Sequence, residues 1–216
     1  MKIGIIGASG KAGDFILKEA LNRGHDVTAI VRNAAKIQDD NVQVLEKSIF
    51  DLNESDLKQY DVVVNAFKAP NGQEHQHVEA GNVLINALKG TPNTRLVVVG
   101  GAGSLFLDET KTLRKFEAPG FPEAYLPTAT NMWKNLKDLQ DTNDIQWTYL
   151  SPGGIFDPEG KRTGSYQVGS EHVILNAAGE SYISYADFAI AVLDEIENRQ
   201  HQNKRFAVVG ERAGKN

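Results

Sequence analysis

No cysteine occurs among the 216 residues. Disulfides, thiolate metal sites and a cysteine nucleophile are thereby excluded together, and the absence fits a reducing compartment. Positive charge is short as well: the formal net charge is −5, and no basic run is long enough to suggest a surface for nucleic acid. No apolar run approaches the ~20 residues needed to cross a bilayer. The first residues enter a strand without a charged leader and apolar h-region, so no secretory signal is expected. Internal repeats, linkers and low-complexity tracts are missing too. These absences leave the expectation of a cytoplasmic protein folded as one domain over residues 1–216. No nucleic-acid or membrane partner is expected, and the oligomeric state is left open.

What is present is concentrated at the start. Ile3, Ile5 and Ile6 lead into Gly7-Ala8-Ser9-Gly10-Lys11-Ala12-Gly13, and a helix-like stretch, DFILKEALNRG, follows. A strand, a glycine-rich turn and a helix in that order make the phosphate-gripping start of a dinucleotide-binding fold. Gly7 permits a tight turn off the strand, Gly10 lets the backbone approach a pyrophosphate, and Gly13 lets the helix pack closely on the sheet. Ser9, Lys11 and Ala12 complete the turn, where N–H groups at the helix start meet the phosphate charge. The spacing is G-x-x-G-x-x-G rather than G-x-G-x-x-G.

Strand-like and helix-like stretches then alternate. VTAIV (27–31), VQVLE (42–46), DVVVNAF (61–67), RLVVVG (95–100) and WTYLS (147–151) read as strands. Residues 12–23, a start at Asn53, 75–89 and roughly 123–142 read as helices, with a helical turn at 34–36. On 75–89 the inward positions are expected to be Val78, Val83, Leu84 and Leu88. The alternation predicts an α/β fold, a Rossmann-like doubly wound parallel sheet. Right-handed crossovers then gather the strand ends at Gly7, Arg32, Phe67, Gly100 and Ser151 along one rim, the natural lining of a cofactor cleft. After Ser151 the pattern changes to a Gly- and Pro-rich loop (152–169), an amphipathic helix (183–199) and a last strand, KRFAVVG (204–210). Residues of about 152–184 form a small substrate-side subregion.

The cofactor's identity turns on the second strand. Asp26 is about the right distance from the glycines to hold an NAD ribose, but it precedes the strand and faces the opposite rim. The residue that follows VTAIV is Arg32, whose guanidinium can stack on adenine and pair with a 2′-phosphate. Lys11 and Lys36 would add charge. The alternative is a solvated arginine at a strand end. NADP is therefore expected first and NAD second.

Taken together these motifs resemble the atypical short-chain dehydrogenase/reductase superfamily, and within it the NAD(P)H-binding, NmrA-like branch that includes proteins named as NADH-flavin reductases. Biliverdin reductase B is related in fold. The matching stretches are GASGKAG, VTAIVRN, Asp51-Leu52, VVVNAF, VVVGGAGSL, LSPGGIF, ISYADFA and RFAVVG, which span nearly the whole chain in order. The resemblance implies that Asp51 and Leu52 hold the adenine edge, and that Ala66 and Phe67 flank the ribose and pyrophosphate. It also implies that Gly100, Gly101 and Ser104 lie beneath the nicotinamide, with Pro152, Gly153 and Gly154 beside its carboxamide. Leu52 and Phe67 are equally readable as core, and the glycines as turns.

Ordinary members of that superfamily use Tyr-x-x-x-Lys, the lysine lowering the tyrosine's pKa for proton transfer. Here the tyrosines at 60, 125, 149, 166, 182 and 185 are followed four residues on by Val64, Ala129, Gly153, Ser170, Ala186 and Ala189. Carbonyl reduction and sugar-nucleotide epimerisation by that pair are thus improbable. A flavin or quinone acceptor escapes the objection, because its ring spreads the incoming charge itself. Phe106, Phe116, Phe121 and Tyr125, in the 101–127 loop, could pocket such a ring or simply pack. Ser104 and Tyr125 are the proton-donor candidates. Biliverdin reductase B has a histidine in the loop that here reads Pro152-Gly153-Gly154, which argues against biliverdin-type activity. A non-catalytic NADP(H) sensor of NmrA type, bound to a regulatory protein, is the alternative. His75 and His77 are read as surface side chains, not a metal pair, Asp194-Glu195-Glu197 as a solvated helix face, and His172 as lacking a partner.

Overall fold

The computed structural model describes residues 1–39 and 41–214. The strands are β1 (Lys2–Ile6), β2 (Asp26–Val31), β3 (Gln43–Glu46), β4 (Val62–Asn65), β5 (Arg95–Val99), β6 (Gln146–Ser151), β7 (Ile155–Asp157), β8 (Gln167–Gly169), β9 (Tyr182–Ser184) and β10 (Lys204–Val209). The α-helices are α1 (Lys11–Asn22), α2 (Glu54–Leu57), α3 (Gln76–Leu88), α4 (Leu126–Gln140) and α5 (Tyr185–Glu197). Eight strands form one sheet in the order β3-β2-β1-β4-β5-β6-β10-β8, and β7 pairs with β9 separately. Every pairing in the large sheet is parallel except β10 with β8. The fold is the expected Rossmann-like doubly wound sheet.

Its two faces bury different residues. On one side Ile3, Ile5, Val64 and Phe206 pack with Ile16, Ala20 and Phe188, from α1 and α5. On the other, Ile6, Val63, Leu96 and Tyr149 pack with Leu84, Leu88, Leu136 and Leu139, from α3 and α4. Strands covered on both faces read as continuous apolar runs, which is why β4 and β5 were easy to find. The chain order turns back between β1 and β4, so the strand ends diverge there and leave a crevice.

Three expectations are corrected. On α3 the buried positions include His77, Ala80, Gly81 and Ile85 beside Leu84 and Leu88; Val83 packs on the core partly buried, and Val78 is only partly buried. The acidic run on α5 is a solvated face only in part, Glu197 being exposed. Glu195 is buried and receives Arg95 Nη1 at 3.2 Å and His201 Nδ1 at 2.8 Å, while Asp194 and Glu197 both take Arg23 at 2.8 Å. Sequence spacing cannot show this, because the arginines come from residues 23 and 95. Finally, α5 opens at Tyr185 rather than 183; Tyr182–Ser184 is strand, and the Ser184 hydroxyl caps the helix by accepting from the Asp187 N–H.

Candidate cofactor cleft

The turn between β1 and α1 is built by close backbone approach. Gly7 sits at φ +75°, in the left-handed region, and its N–H donates to Ile30 O at 3.1 Å. A Cβ there would lie 2.7 Å from the Ala66 carbonyl, at the β1/β4 switch point. A Cβ at Gly13 would lie 2.1 Å from Gly7 O, so the helix comes this near the strand end only because residue 13 has no side chain. Gly10 is exposed and caps α1 without any side-chain hydrogen bond to the first turn. The first-turn carboxylate, Asp14, is turned onto Lys18 at 2.7 Å. The helix start therefore offers backbone N–H groups to an anion, with Ser9 and Lys11 exposed beside it. This cradle fits a pyrophosphate.

The neighbouring strand ends bring most of the expected residues to the same rim. Arg32 directly follows β2, is exposed, and forms no ion pair or hydrogen bond among the described residues. Asp26 begins β2, on the opposite rim. Lys36 lies on the 3-10 turn Ala34–Lys36 and, with Ser9, lines a cavity of about 490 Å³ between α1 and the segment after β2. The Glu46 carboxylate, across from Val31, is occupied by the Ala34 N–H at 2.8 Å. Asp51 is exposed on the 3-10 turn Ile49–Asp51. The Leu52 side chain, by contrast, packs in the core with Ile6 and Leu57.

Ala66 and Phe67 follow β4, and both are half-buried. Phe67 meets Phe50 and His77 edge-on, with ring centroids 5.8 Å apart in each case. Phe50, an exposed aromatic beside the cleft, was not singled out from sequence; nothing local marks it. His77 is a further correction: it is buried, and its Nε2 lies 3.4 Å from the Ala69 N–H. Burial lowers its pKa to about 4, only partly opposed by Glu74. His75 is exposed, as expected.

Gly100 and Gly101 continue from β5. A Cβ at Gly100 would strike the Tyr149 ring at 2.1 Å, and one at Gly101 would lie 3.2 Å from Met132 Sδ. Tyr149 is fully enclosed, and its phenol is pushed up to about 12 by burial. Pro152 and Gly153 follow β6 and are buried, Gly153 leaving 2.8 Å between a would-be Cβ and the Ser181 carbonyl carbon. Ser104 is engaged within the fold rather than exposed at the cleft surface. It is buried, and Arg205 Nη1 donates to both its hydroxyl and its carbonyl oxygen at 2.9 Å. Tyr125 lies at the start of α4 on the rim, 66% exposed, with no partner for its hydroxyl among the described residues.

Beyond the glycines, the connection from β5 to α4 makes a wall of flat rings and cations. Arg114 stacks over Phe106 at 5.1 Å and over Trp133 at 4.8 Å. Phe116 packs on Trp133, with centroids 5.9 Å apart. Lys115 reaches the turn after β6, where a Cβ at Gly154 would lie 2.1 Å from its Nζ. His172 sits against Phe106, its buried Nε2 without a hydrogen bond.

Known proteins match this arrangement. Residues 7–199 fit the family described as NAD(P)H-binding. The chain is 65% identical over 211 residues to the uncharacterized protein YwnB of Bacillus subtilis, covering 98% of this chain and 99% of that one. SP1627 of Streptococcus pneumoniae, solved as a candidate NADH-flavin reductase, is 40% identical, with a TM-score of 0.93 over 98% of this chain and 100% of that one. A candidate epimerase of Bacteroides thetaiotaomicron is 33% identical, with a TM-score of 0.87 over 99% of each chain. Profile, fold and cradle agree: the chain belongs to the NAD(P)H-binding family, with the atypical short-chain dehydrogenase/reductase, NmrA-like fold.

Proposed function

We propose that the protein is an NADPH-dependent reductase that passes hydride to a flavin or a quinone. The observation that carries this reading is the wall that follows Gly100 and Gly101 in the chain, in which Arg114 lies over both Phe106 and Trp133 while no tyrosine has a lysine four residues on. Such a wall suits a flat, electron-poor ring that needs little from a protein acid. The streptococcal relative's designation as a candidate NADH-flavin reductase supports it. The Bacteroides designation would call for proton-transfer chemistry that the missing Tyr-Lys pair does not supply.

Bound reduced nicotinamide supplies the hydride; the chain's own work is to bind, orient and dry the site. Gly7, Ser9, Gly10, Lys11 and Ala12 would hold the pyrophosphate, Arg32 and Lys36 a 2′-phosphate, and Asp51 the adenine edge. Ala66 and Phe67 would flank the ribose. Gly100 and Gly101 would lie under the nicotinamide, with Pro152 and Gly153 beside its carboxamide. Tyr125 is positioned to shield the acceptor at the rim.

The test is a melting series with NADPH and NADH, followed by NADPH oxidation with FMN, riboflavin and menadione as acceptors. Stabilisation by NADPH together with steady turnover of an acceptor supports the reading. No melting shift at about a hundred times a micromolar dissociation constant, where ~2.7 kcal/mol is expected, defeats the cofactor assignment. Binding without any turnover favours the sensor reading instead.

A further inference from the structure

Lys115 is a cation whose position the fold itself does not explain. It belongs to the 3-10 turn Lys115–Glu117, anchored through its backbone: its N–H donates to Leu105 O at 2.8 Å, and its carbonyl accepts from Ala118 at 3.3 Å. The side chain leaves this turn and crosses to the residues after β6, resting its Nζ against Gly154. No carboxylate pairs with it among the described residues. Its two neighbours are differently employed, Arg114 with Glu117 at 3.1 Å and Phe116 against Trp133. Burial alone accounts for the lowering of its pKa. A half-buried ammonium with no counter-ion is costly, so such groups are retained mainly where something anionic visits.

We propose that Lys115 is a catalytic residue that contacts the acceptor and takes up the negative charge arriving with the hydride. This rests on the reductase reading above. Hydride transfer adds two electrons and one proton, forming the N5–H bond of a flavin and leaving charge along its N1–C2 edge, or converting a quinone to its hydroquinone monoanion. The nicotinamide is oxidised in the same step. A Lys115 N–H donates to that anionic nitrogen or oxygen and passes its proton to it, and water reprotonates the resulting amine. Gly154 belongs to the device: any larger residue there would occupy the place of the ammonium. The preferred acceptor is therefore a planar ring that becomes anionic at its edge, not an aliphatic carbonyl.

Three variants test this. Lys115→Gln removes the charge, Lys115→Arg keeps it, and Gly154→Ala keeps the lysine but displaces its tip, which a flexible side chain allows without unfolding. Lys115→Gln and Gly154→Ala are expected to lower kcat for FMN and menadione by roughly tenfold or more, Lys115→Gln with KM for NADPH little changed, and Lys115→Arg to keep much of the wild-type rate. A binding readout stands apart from turnover: with NADP⁺ present, hydroxynaphthoate, an inert planar anion, should bind Lys115→Gln roughly tenfold more weakly than wild type, while naphthol binds both alike. Equal affinity of wild type and Lys115→Gln for hydroxynaphthoate, or equal losses for naphthol, overturns the proposal. If wild type turns over no acceptor yet still prefers the anion through Lys115, the reductase reading fails and the charge contact stands.

Discussion

The two halves of the cleft are made by different means. The nucleotide half, around β1, α1 and β2, is backbone against backbone: Gly7 on Ala66, Gly13 on Gly7, Gly7 N–H on Ile30. The acceptor half is a set of loops held by buried side chains. Arg205 pins Ser104, and Asp187, fully buried, accepts from the N–H groups of Thr163 and Gly164 and from the Thr163 hydroxyl. Asn176 ties its own turn to Gly210. A backbone site tolerates almost no added atom and presents the same donors whatever surrounds it. A side-chain site can be retuned one residue at a time, which suits the part of a reductase that must distinguish acceptors.

If the nucleotide half is set by backbone approach, Gly13→Ala should show the largest single effect. The added carbon meets a carbonyl oxygen of the strand end, so α1 must move away. A loss of about 3 kcal/mol is expected, a fall in Tm of roughly 6–12 °C for a domain of this size, together with loss of stabilisation by NADPH. An unchanged Tm with NADPH binding intact would refute close packing as the reason for this glycine.

The acceptor half should respond differently. Arg205→Met leaves the Ser104 carbonyl and hydroxyl without their donor but also relieves the burial of a guanidinium, so about 2–3 kcal/mol is expected. Burial already holds that guanidinium below its ordinary pKa. Acceptor turnover should fall while NADPH affinity holds. A parallel loss of both would mean that the halves are not separable.

The same contrast explains what the sequence disclosed. GASGKAG lies within seven consecutive residues, and its geometry follows from glycines at fixed offsets, so fold and phosphate cradle were legible together. The acceptor side depends on pairs such as Arg205 with Ser104, about a hundred residues apart in the chain, as is the Arg95–Glu195 pair at the opposite rim of the sheet. No local pattern records such a pair; hence neither the hold of Arg205 on a buried Ser104 nor the burial of Glu195, which reads as solvated, shows in the sequence. Lys115 escaped notice for the same reason, since Gly154, which makes room for it, lies on another loop. Leu52 differs again: the resemblance singles out its position, but its side chain packs in the core.

Between the halves stands His77, behind Phe67. Its folded-state pKa of about 4 lies below the ordinary 6.5, so the unfolded chain binds the proton more readily between those values. The stability it contributes is present above pH 6.5 and lost as pH falls toward 4. From pH 7 to 5 this amounts to about 2 kcal/mol. His77→Gln, which can still accept from the Ala69 N–H, should flatten that part of the stability profile. Identical slopes for the two proteins would show that His77 is not held neutral.

The smallest effect expected concerns the edge of the nucleotide half, where backbone gives way to side chain. Arg32 is exposed, so its pairing with a 2′-phosphate is screened by solvent and salt, and Lys11 and Lys36 retain part of the positive field when it is removed. Arg32→Ala should therefore weaken NADPH by only about tenfold, ~1.4 kcal/mol, and leave NADH nearly unchanged. The gap should narrow as salt is raised, since only the 2′-phosphate contact is electrostatic in this sense. Glu46, paired across from Val31, is already engaged by the Ala34 N–H and is poorly placed to compensate by selecting a ribose hydroxyl. Equal weakening of both nucleotides would mean that Arg32 stacks on adenine without reading the phosphate, and the proposed selection of NADPH would then have to rest on Lys11 and Lys36.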